Sequence, residues 1–163
     1  FFKKIGNIYA FEPNKKNFLN LKENCVLNNL NVKIYNFGLS NSNYNSEIWY
    51  TDKNKLGGSA IFDINDPELK KYDAKSIIKE KISLKKLDDV LKINNSKILV
   101  KVDVERHEKK VLEGMENIIQ QNNIIMQIEI SEENEKKIFD YLKKLKFKWI
   151  NSIRHDHFFE KEA

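Results

Sequence analysis

Residues Ile98-Leu99-Val100-Lys101-Val102-Asp103-Val104-Glu105 set the strongest limit on the fold. An apolar, β-branched run that stops on two carboxylates and breaks into Arg106-His107-Glu108 reads as a strand buried on both faces, the kind held inside a parallel sheet flanked by helices. In open α/β sheets, ligands sit beyond the carboxyl ends of such strands, where the strand order reverses. Asp103 and Glu105 are therefore expected at the rim of a ligand crevice.

The rest of the chain alternates in the same way. Asn7 to Phe11 reads as a short strand closed by Glu12-Pro13, and Pro13 with Asn14 opens a helix. Phe18, Leu21 and Cys25 then share one helical face, with Leu19 and Val26 beside them, and the helix ends near Asn28-Asn29. Val32 to Phe37 reads as a strand running into Gly38-Leu39-Ser40 and a polar turn, and Glu47 to Tyr50 adds a short one. Residues 51 to 79 show little periodicity and contain Gly57-Gly58-Ser59 and Pro67, which predicts a substrate-side loop.

Beyond it, Lys81 to Leu84 is strand-like and passes into a short helix at Leu87 to Leu91. Lys97 to Val104 is the buried strand. Glu108 to Gly114 reads as a helix with Val111 and Leu112 inward and Gly114 closing a turn, followed by more helix from Met115 to Gln121. Ile124 to Ile130 is another buried strand ending on an acid, Glu129. Glu133 to Leu145 is a helix, and Phe147 to Ile150 and His155 to Phe159 are strands. Such alternation predicts a Rossmann-like, doubly wound, mostly parallel α/β sheet with helices on both faces, in one domain spanning 1–163.

Composition narrows the partners. The 163 residues are 40% hydrophobic and 11% aromatic, enough for one core. One cysteine leaves no disulfide framework, and no stretch has the length and apolarity of a leader or membrane span, so a cytoplasmic protein is the default expectation. The net charge of +5 comes from lysines scattered among acids, without the basic stripe interleaved with aromatics that nucleic-acid binding uses.

Glu12 closes a strand ahead of a helix, the place where nucleotide-binding folds put an acid that accepts ribose hydroxyls. The glycine-rich turn that accompanies such an acid lies about 20 residues earlier, whereas only eleven residues precede Glu12. The expectation is an N-terminally truncated fragment whose first strand and glycine loop lie upstream. The competing reading of Glu12 is a carboxylate that favours a helix N-terminus.

Phe11-Glu12-Pro13, the helix end with Asn24 and Asn28, Gly38-Leu39-Ser40, Leu87-Asp88, Lys101-Val102-Asp103-Val104-Glu105 with Glu108, Leu112 and Gly114, and Ile128-Glu129 together resemble the FkbM-type methyltransferases. The resemblance runs from Ile8 to about Ile130. It implies an S-adenosyl-L-methionine-dependent enzyme that methylates hydroxyl groups of small-molecule or carbohydrate acceptors. It also implies that Glu12 holds the cofactor ribose, that Gly38 and Leu39 border its adenine, and that Asp103 faces the transfer site. One departure stands out: where the family pattern D-x-E-G-x-E has glycine, this chain has Arg106. If that position needs φ > 0 or a close backbone approach, arginine there is costly.

A hydroxyl is a poor nucleophile, and a carboxylate within hydrogen-bond reach can orient it and take its proton. Asp103 is the first candidate, with Glu105 or His107 as substitutes, and Lys101, Arg106 and Glu129 as candidates for contact with the acceptor. A second reading keeps the fold and uses Asp103, Glu105, Glu129 and His107 to hold a hard divalent cation. A third makes the chain a non-catalytic nucleotide- or sugar-binding domain. For Asp103 and Glu105, helix capping and pairing with Lys101 or Arg106 is the structural alternative; for Glu129 it is pairing with a lysine. His155 and His157, two apart, read as a partly exposed edge strand before they read as metal ligands. Cys25 reads as a core residue.

Overall fold

The computed structural model describes residues 6–51 and 77–161. It is a mixed α/β fold that divides into two compact units, one built from Phe1–Leu39 and Asn43–Leu84, the other from Ser40–Ser42 and Lys85–Ala163. No described helix is long and apolar enough to cross a membrane.

In the first unit, β1 (Ile8–Phe11) leads into α1 (Lys15–Leu27) and returns as β2 (Val32–Tyr35), which pairs parallel to β1 with Phe11 opposite Tyr35. The helix begins where expected: Asn14 is the N-cap, its side chain accepting the Asn17 N–H at 2.9 Å. It ends on Asn29 at φ 53, with the Leu30 N–H on the Cys25 carbonyl and the Asn29 N–H on that of Val26. That pattern is a Schellman motif with asparagine in the left-handed position glycine usually takes. Phe18, Leu21 and Cys25 face inward as predicted, but Leu19 and Val26 are exposed.

The same unit holds a three-stranded sheet in the order β3 (Gly38–Leu39), β5 (Ile77–Lys85), β4 (Tyr44–Thr51). β4 and β5 pair antiparallel from Tyr44 opposite Leu84 to Thr51 opposite Ile77, around a core of Ile48, Ile82 and Leu84. The short strand expected at Glu47 to Tyr50 is thus twice as long, and the loop expected over 51 to 79 is strand at both margins. Residues 52–76 of that loop, including Gly57-Gly58, lie outside the described residues.

The second unit contains α2 (Leu87–Val90), β6 (Lys97–Val102), α3 (Glu108–Glu113), α4 (Glu116–Gln121), β7 (Asn123–Glu129), α5 (Glu132–Lys144), β8 (Phe147–Ile153) and β9 (Asp156–Lys161). Its sheet runs β6-β7-β9-β8. β6 and β7 are parallel; β9 is antiparallel to both β7 and β8. Ile128, Met126, Phe159, Ile138 and Leu142 are among its fully buried side chains.

Three expectations change here. The doubly wound, mostly parallel sheet gives way, among the described residues, to separate sheets of mixed direction. The two-residue turn at Arg154-His155, with Arg154 at φ 57, explains part of this, because so short a connection joins only antiparallel strands. Likewise β6 is not buried on both faces. Among the described residues it is the end strand of its sheet, and its alternation points Ile98, Val100 and Val102 inward while Lys97, Lys101 and a 76% exposed Leu99 point out. β9 reverses the expectation for the histidines too. It lies between β7 and β8, so His157 is buried edge-on to Phe139 at 5.2 Å, whereas His155 sits in the turn and is exposed.

Candidate functional site

Two strand ends carry the predicted acids, one in each unit. At the end of β1, the Glu12 N–H bonds the Tyr35 carbonyl at 3.0 Å, which carries the β1 and β2 pairing one residue past the strand. The Glu12 Oε1 accepts the Asn14 N–H at 2.8 Å. Burial raises the Glu12 pKa, the Asn14 N–H pulls it back, and the negative charge of Glu80 raises it further. Beside it, Phe11 stacks on Tyr35 with centroids 5.2 Å apart, and Phe37 is tilted against both. All three rings are half-buried. The helix-N-terminus reading of Glu12 is therefore realised through one carboxylate oxygen, which also fixes the group's orientation.

Gly38 and Leu39, the other residues assigned to the cofactor, form β3 in this unit. Gly38 is glycine because of packing: a Cβ there would meet Leu84 Cδ2 at 2.6 Å and Pro13 at 3.4 Å.

In the second unit, the parallel register puts Val102 opposite Ile128, so the residues that follow, Asp103 and Glu129, meet at the carboxyl ends of neighbouring strands. Their side chains share a hydrogen bond, and Lys101 Nζ lies 2.5 Å from Asp103 Oδ2. Burial pushes Asp103 up, but the hydrogen bonds from Lys101 and Glu129 and the Lys101 charge outweigh it and hold Asp103 below the ordinary range. Glu129 moves up, first through the hydrogen bond to Asp103, then through burial and the charges of Asp103, Glu105 and Asp156. Asp103 is thus the more acidic member of the pair, and Glu129 is the one that takes up a proton first as pH falls.

Past Asp103 the chain turns sharply. The His107 N–H reaches the Val104 carbonyl at 3.3 Å, and the two central residues, Glu105 and Arg106, have φ 45 and φ 71. These are the left-handed values of a type I′ turn, which favours Asn or Asp followed by Gly. Arg106 stands at the glycine position, as its place in the D-x-E-G-x-E pattern predicts. Among the contacts that hold it, its Nε is 3.0 Å from Glu133 Oε1, and its N–H donates to Glu108 Oε1 at 2.7 Å. Glu105 has its pKa raised by burial and then by Asp103, with Arg106 opposing. Glu108, 3% exposed, is raised chiefly by burial.

His107 points elsewhere. It is buried, with Nε2 3.0 Å from the hydroxyl of Ser40, itself fully buried. Burial, then the nearby Lys110 charge, push its pKa down to about 4, so the imidazole is neutral at pH 7. Ser40 is in turn clamped by Gly114, where an added Cβ would lie 2.0 Å from the Ser40 carbonyl oxygen. Gly114 has φ −80 and no left-handed turn to make; close approach of two backbones is what requires it. The Leu87-Asp88 pair also has a structural role: the Asp88 carboxylate accepts the Asn117 and Ile118 N–H groups at 3.0 and 3.1 Å, capping α4 from outside its own helix.

The structure thus brings Lys101, Asp103, Glu105, Arg106 and Glu129 to one strand end and turns His107 inward to Ser40. Among the described residues no three His, Cys, Asp or Glu side chains are grouped to hold a metal ion, and of the four residues considered for a divalent cation, Asp103, Glu105, Glu129 and His107, the histidine faces Ser40. Sequence reasoning missed Glu80, although its position in the inward row with Ile82 and Leu84 was a signal: an acid in an apolar row needs partners. Its carboxylate accepts the Asn14 side-chain amide at 2.7 Å and the Lys15 N–H at 2.8 Å.

Comparison with known proteins places the chain in a family. The profile of a family described as the methyltransferase FkbM domain matches residues 1–149. The crystal structure of a methyltransferase FkbM from Methylobacillus flagellatus KT superposes with a TM-score of 0.59 over 94% of this chain, at 12% sequence identity, a likeness of fold. The chain spans 36% of that protein's length. No curated protein matches it.

Proposed function

The chain belongs to the FkbM methyltransferase family, and from that premise we propose that it serves an S-adenosyl-L-methionine-dependent methyltransferase acting on a hydroxyl group of a sugar or other small-molecule acceptor. The observation that carries the reading is the pairing of Asp103 with Glu129 and Lys101 at the ends of two parallel strands, where α/β folds present ligands.

The residues at the end of β1 suit the donor. Glu12 presents a carboxylate whose orientation is fixed by Asn14 and which can accept both hydroxyls of a ribose, and the Phe11, Tyr35 and Phe37 rings offer flat apolar surface beside it. Gly38 and Leu39 complete that assignment. When bound, the donor supplies an electrophilic methyl group on a positively charged sulfur.

Everything else falls to the protein's own side chains. Asp103, its pKa lowered by Lys101 and by the hydrogen bond with Glu129, orients the acceptor hydroxyl and accepts its proton as the new carbon–oxygen bond forms and the methyl–sulfur bond breaks, the electron pair leaving with sulfur. Alignment of acceptor oxygen with the methyl carbon is the larger part of the catalytic task. Glu105, Arg106 and Lys101 line the same strand end and are positioned to select the acceptor. His107 supports the turn through Ser40.

Titration of the intact protein with S-adenosyl-L-methionine in a calorimeter tests the reading. Wild type is expected to show one saturable site, weakened at least about tenfold in Glu12→Ala, since charged hydrogen bonds contribute about 1.5–3 kcal/mol each. No heat from folded wild-type protein overturns the donor assignment and favours a binding domain for another ligand.

A further inference from the structure

Glu12 does not stand alone. Asn14, only 3% exposed, uses its groups in four directions: its N–H donates to Glu12 Oε1 at 2.8 Å, its Oδ1 accepts the Asn17 N–H, its carbonyl accepts the Phe18 N–H at 2.9 Å, and its Nδ2 donates to Glu80 Oε2 at 2.7 Å. The second oxygen of Glu80 takes the Lys15 N–H at 2.8 Å. One buried asparagine therefore joins two carboxylates from distant parts of the sequence, and its rotamer and the position of its backbone N–H are set from the β5 side.

Capping alone does not account for Glu80. The Asn14 side chain already caps α1 on Asn17, and Glu80 occupies a row of β5 whose next members, Ile82 and Leu84, are buried core. An apolar residue there would extend that core without burying charge. What the carboxylate adds is a fixed Asn14, and through it a fixed Glu12.

We propose that Glu80 is a positioning residue of the donor site: acting through Asn14, it holds the Glu12 carboxylate in the one orientation that receives the ribose hydroxyls. The inference rests on the assignment of Glu12 to the donor given above. It has a second, electrostatic consequence. The groups that face Glu12 are Glu80 from β5 and the Asn14 N–H at the start of α1, while the Asn36 side chain binds the Glu12 backbone carbonyl at 3.0 Å. Negative charge on Glu80 favours the protonated form of Glu12, which accepts one hydroxyl fewer, so Glu80 also raises the pH below which donor binding fails.

Calorimetric titration of the intact protein with S-adenosyl-L-methionine across the acid range, comparing wild type, Glu80→Gln and Glu80→Ala, tests this. Glu80→Ala is expected to weaken binding at pH 7 about tenfold, the loss of one well-aimed charged hydrogen bond. Glu80→Gln keeps an acceptor oxygen and recovers part of that loss. In both variants the acid limb of binding moves to lower pH, because Glu12 is relieved of a negative neighbour. A purely structural Glu80 would lower the melting temperature and leave the acid limb where it is, which overturns the inference. So does wild-type affinity in Glu80→Ala. Should Glu80→Ala fail to fold, the acid limb of Glu80→Gln decides alone. Wild-type protein that takes up no donor overturns the donor assignment itself, and that control separates the two failures.

Discussion

The ends of β1 and β6 look alike in sequence, an apolar strand stopping on an acid before a helix, yet they are built on opposite electrostatic plans. Glu12 is held by neutral donors: a backbone N–H fixes it, burial and Glu80 raise its pKa, and an asparagine carries the network. Asp103 is held by charge. Lys101 contacts it, Glu129 shares a hydrogen bond with it, and the net effect lowers its pKa. The difference matches the tasks proposed for them, since a ribose needs a fixed acceptor while a hydroxyl losing its proton needs a carboxylate that stays ionised. It also shows that strand-end acids cannot be assigned chemistry from position alone; the neighbours decide.

Each end rests on one glycine required by close packing, and this gives the largest expected contrast. Gly114→Ala would push a Cβ to 2.0 Å from a backbone oxygen of Ser40, and backbone has little room to yield, so the second unit should lose about 3 kcal/mol or more in urea unfolding. Gly38→Ala meets the end of the Leu84 side chain, which can rotate, and should lose about 1–2 kcal/mol. Equal losses would show that the two ends tolerate crowding alike and break the comparison on this point.

The next contrast is in pH. His107 has its folded pKa pushed from the ordinary 6.5 to about 4, so the folded state binds fewer protons than the unfolded one in that window. Stability tied to His107 is then full above pH 6.5 and is lost as pH falls toward 4, by about 3 kcal/mol in all. Glu12, raised by burial, has the opposite sign, its protonation favouring the folded state as pH falls through its raised value. Urea unfolding of wild type and His107→Gln from pH 7 to 4 isolates the histidine by difference. Parallel curves would show that His107 is not the proton-sensitive support of the β6 turn.

The smallest effect sharpens the contrast between the two turns. Arg106→Gly removes a left-handed arginine, worth about 1–2 kcal/mol, and an exposed ion pair to Glu133 worth at most about 1 kcal/mol, so a net gain of about 1 kcal/mol is expected in urea unfolding. A loss instead would mean that the Glu133 contact outweighs the backbone strain. The gain in stability should come with altered acceptor preference if Arg106 helps select the acceptor.

Local signals were the legible ones. The helix start at Asn14, its end at Asn28-Asn29, the acids closing β1, β6 and β7, and the burial of Cys25 follow from short-range patterns that the fold respects. The left-handed φ at Arg106 was half legible: glycine at that place in a motif signals either backbone freedom or a close approach, and the turn realises the first. Pairing over distance was not. Nothing in Tyr44 to Thr51 announces eight residues of ladder with Ile77 to Lys85, since the pairs are mixed: Glu47 faces Lys81, Ile48 faces Glu80, and Trp49 faces Lys79, whose ammonium lies 4.1 Å from the indole centroid. The roles of Glu80, Ser40 and Asp88 were hidden for the same reason, each being defined by a partner far along the chain. The lysines at 97 and 101 were the overlooked clue in β6, an every-second-residue signal of an open face that the apolar neighbours masked.

That open face has a consequence for how the charges of the strand are shared. Lys97 and Lys101 bracket a bare Leu99 along the outward row of β6, and Lys101 is also the ammonium that contacts Asp103 and helps to lower its pKa. The side chain that wets an exposed apolar residue therefore also tunes the acid at the strand end. An exposed pair of this kind is screened over about 8–10 Å at ordinary ionic strength, so added salt loosens the hold of Lys101 on Asp103.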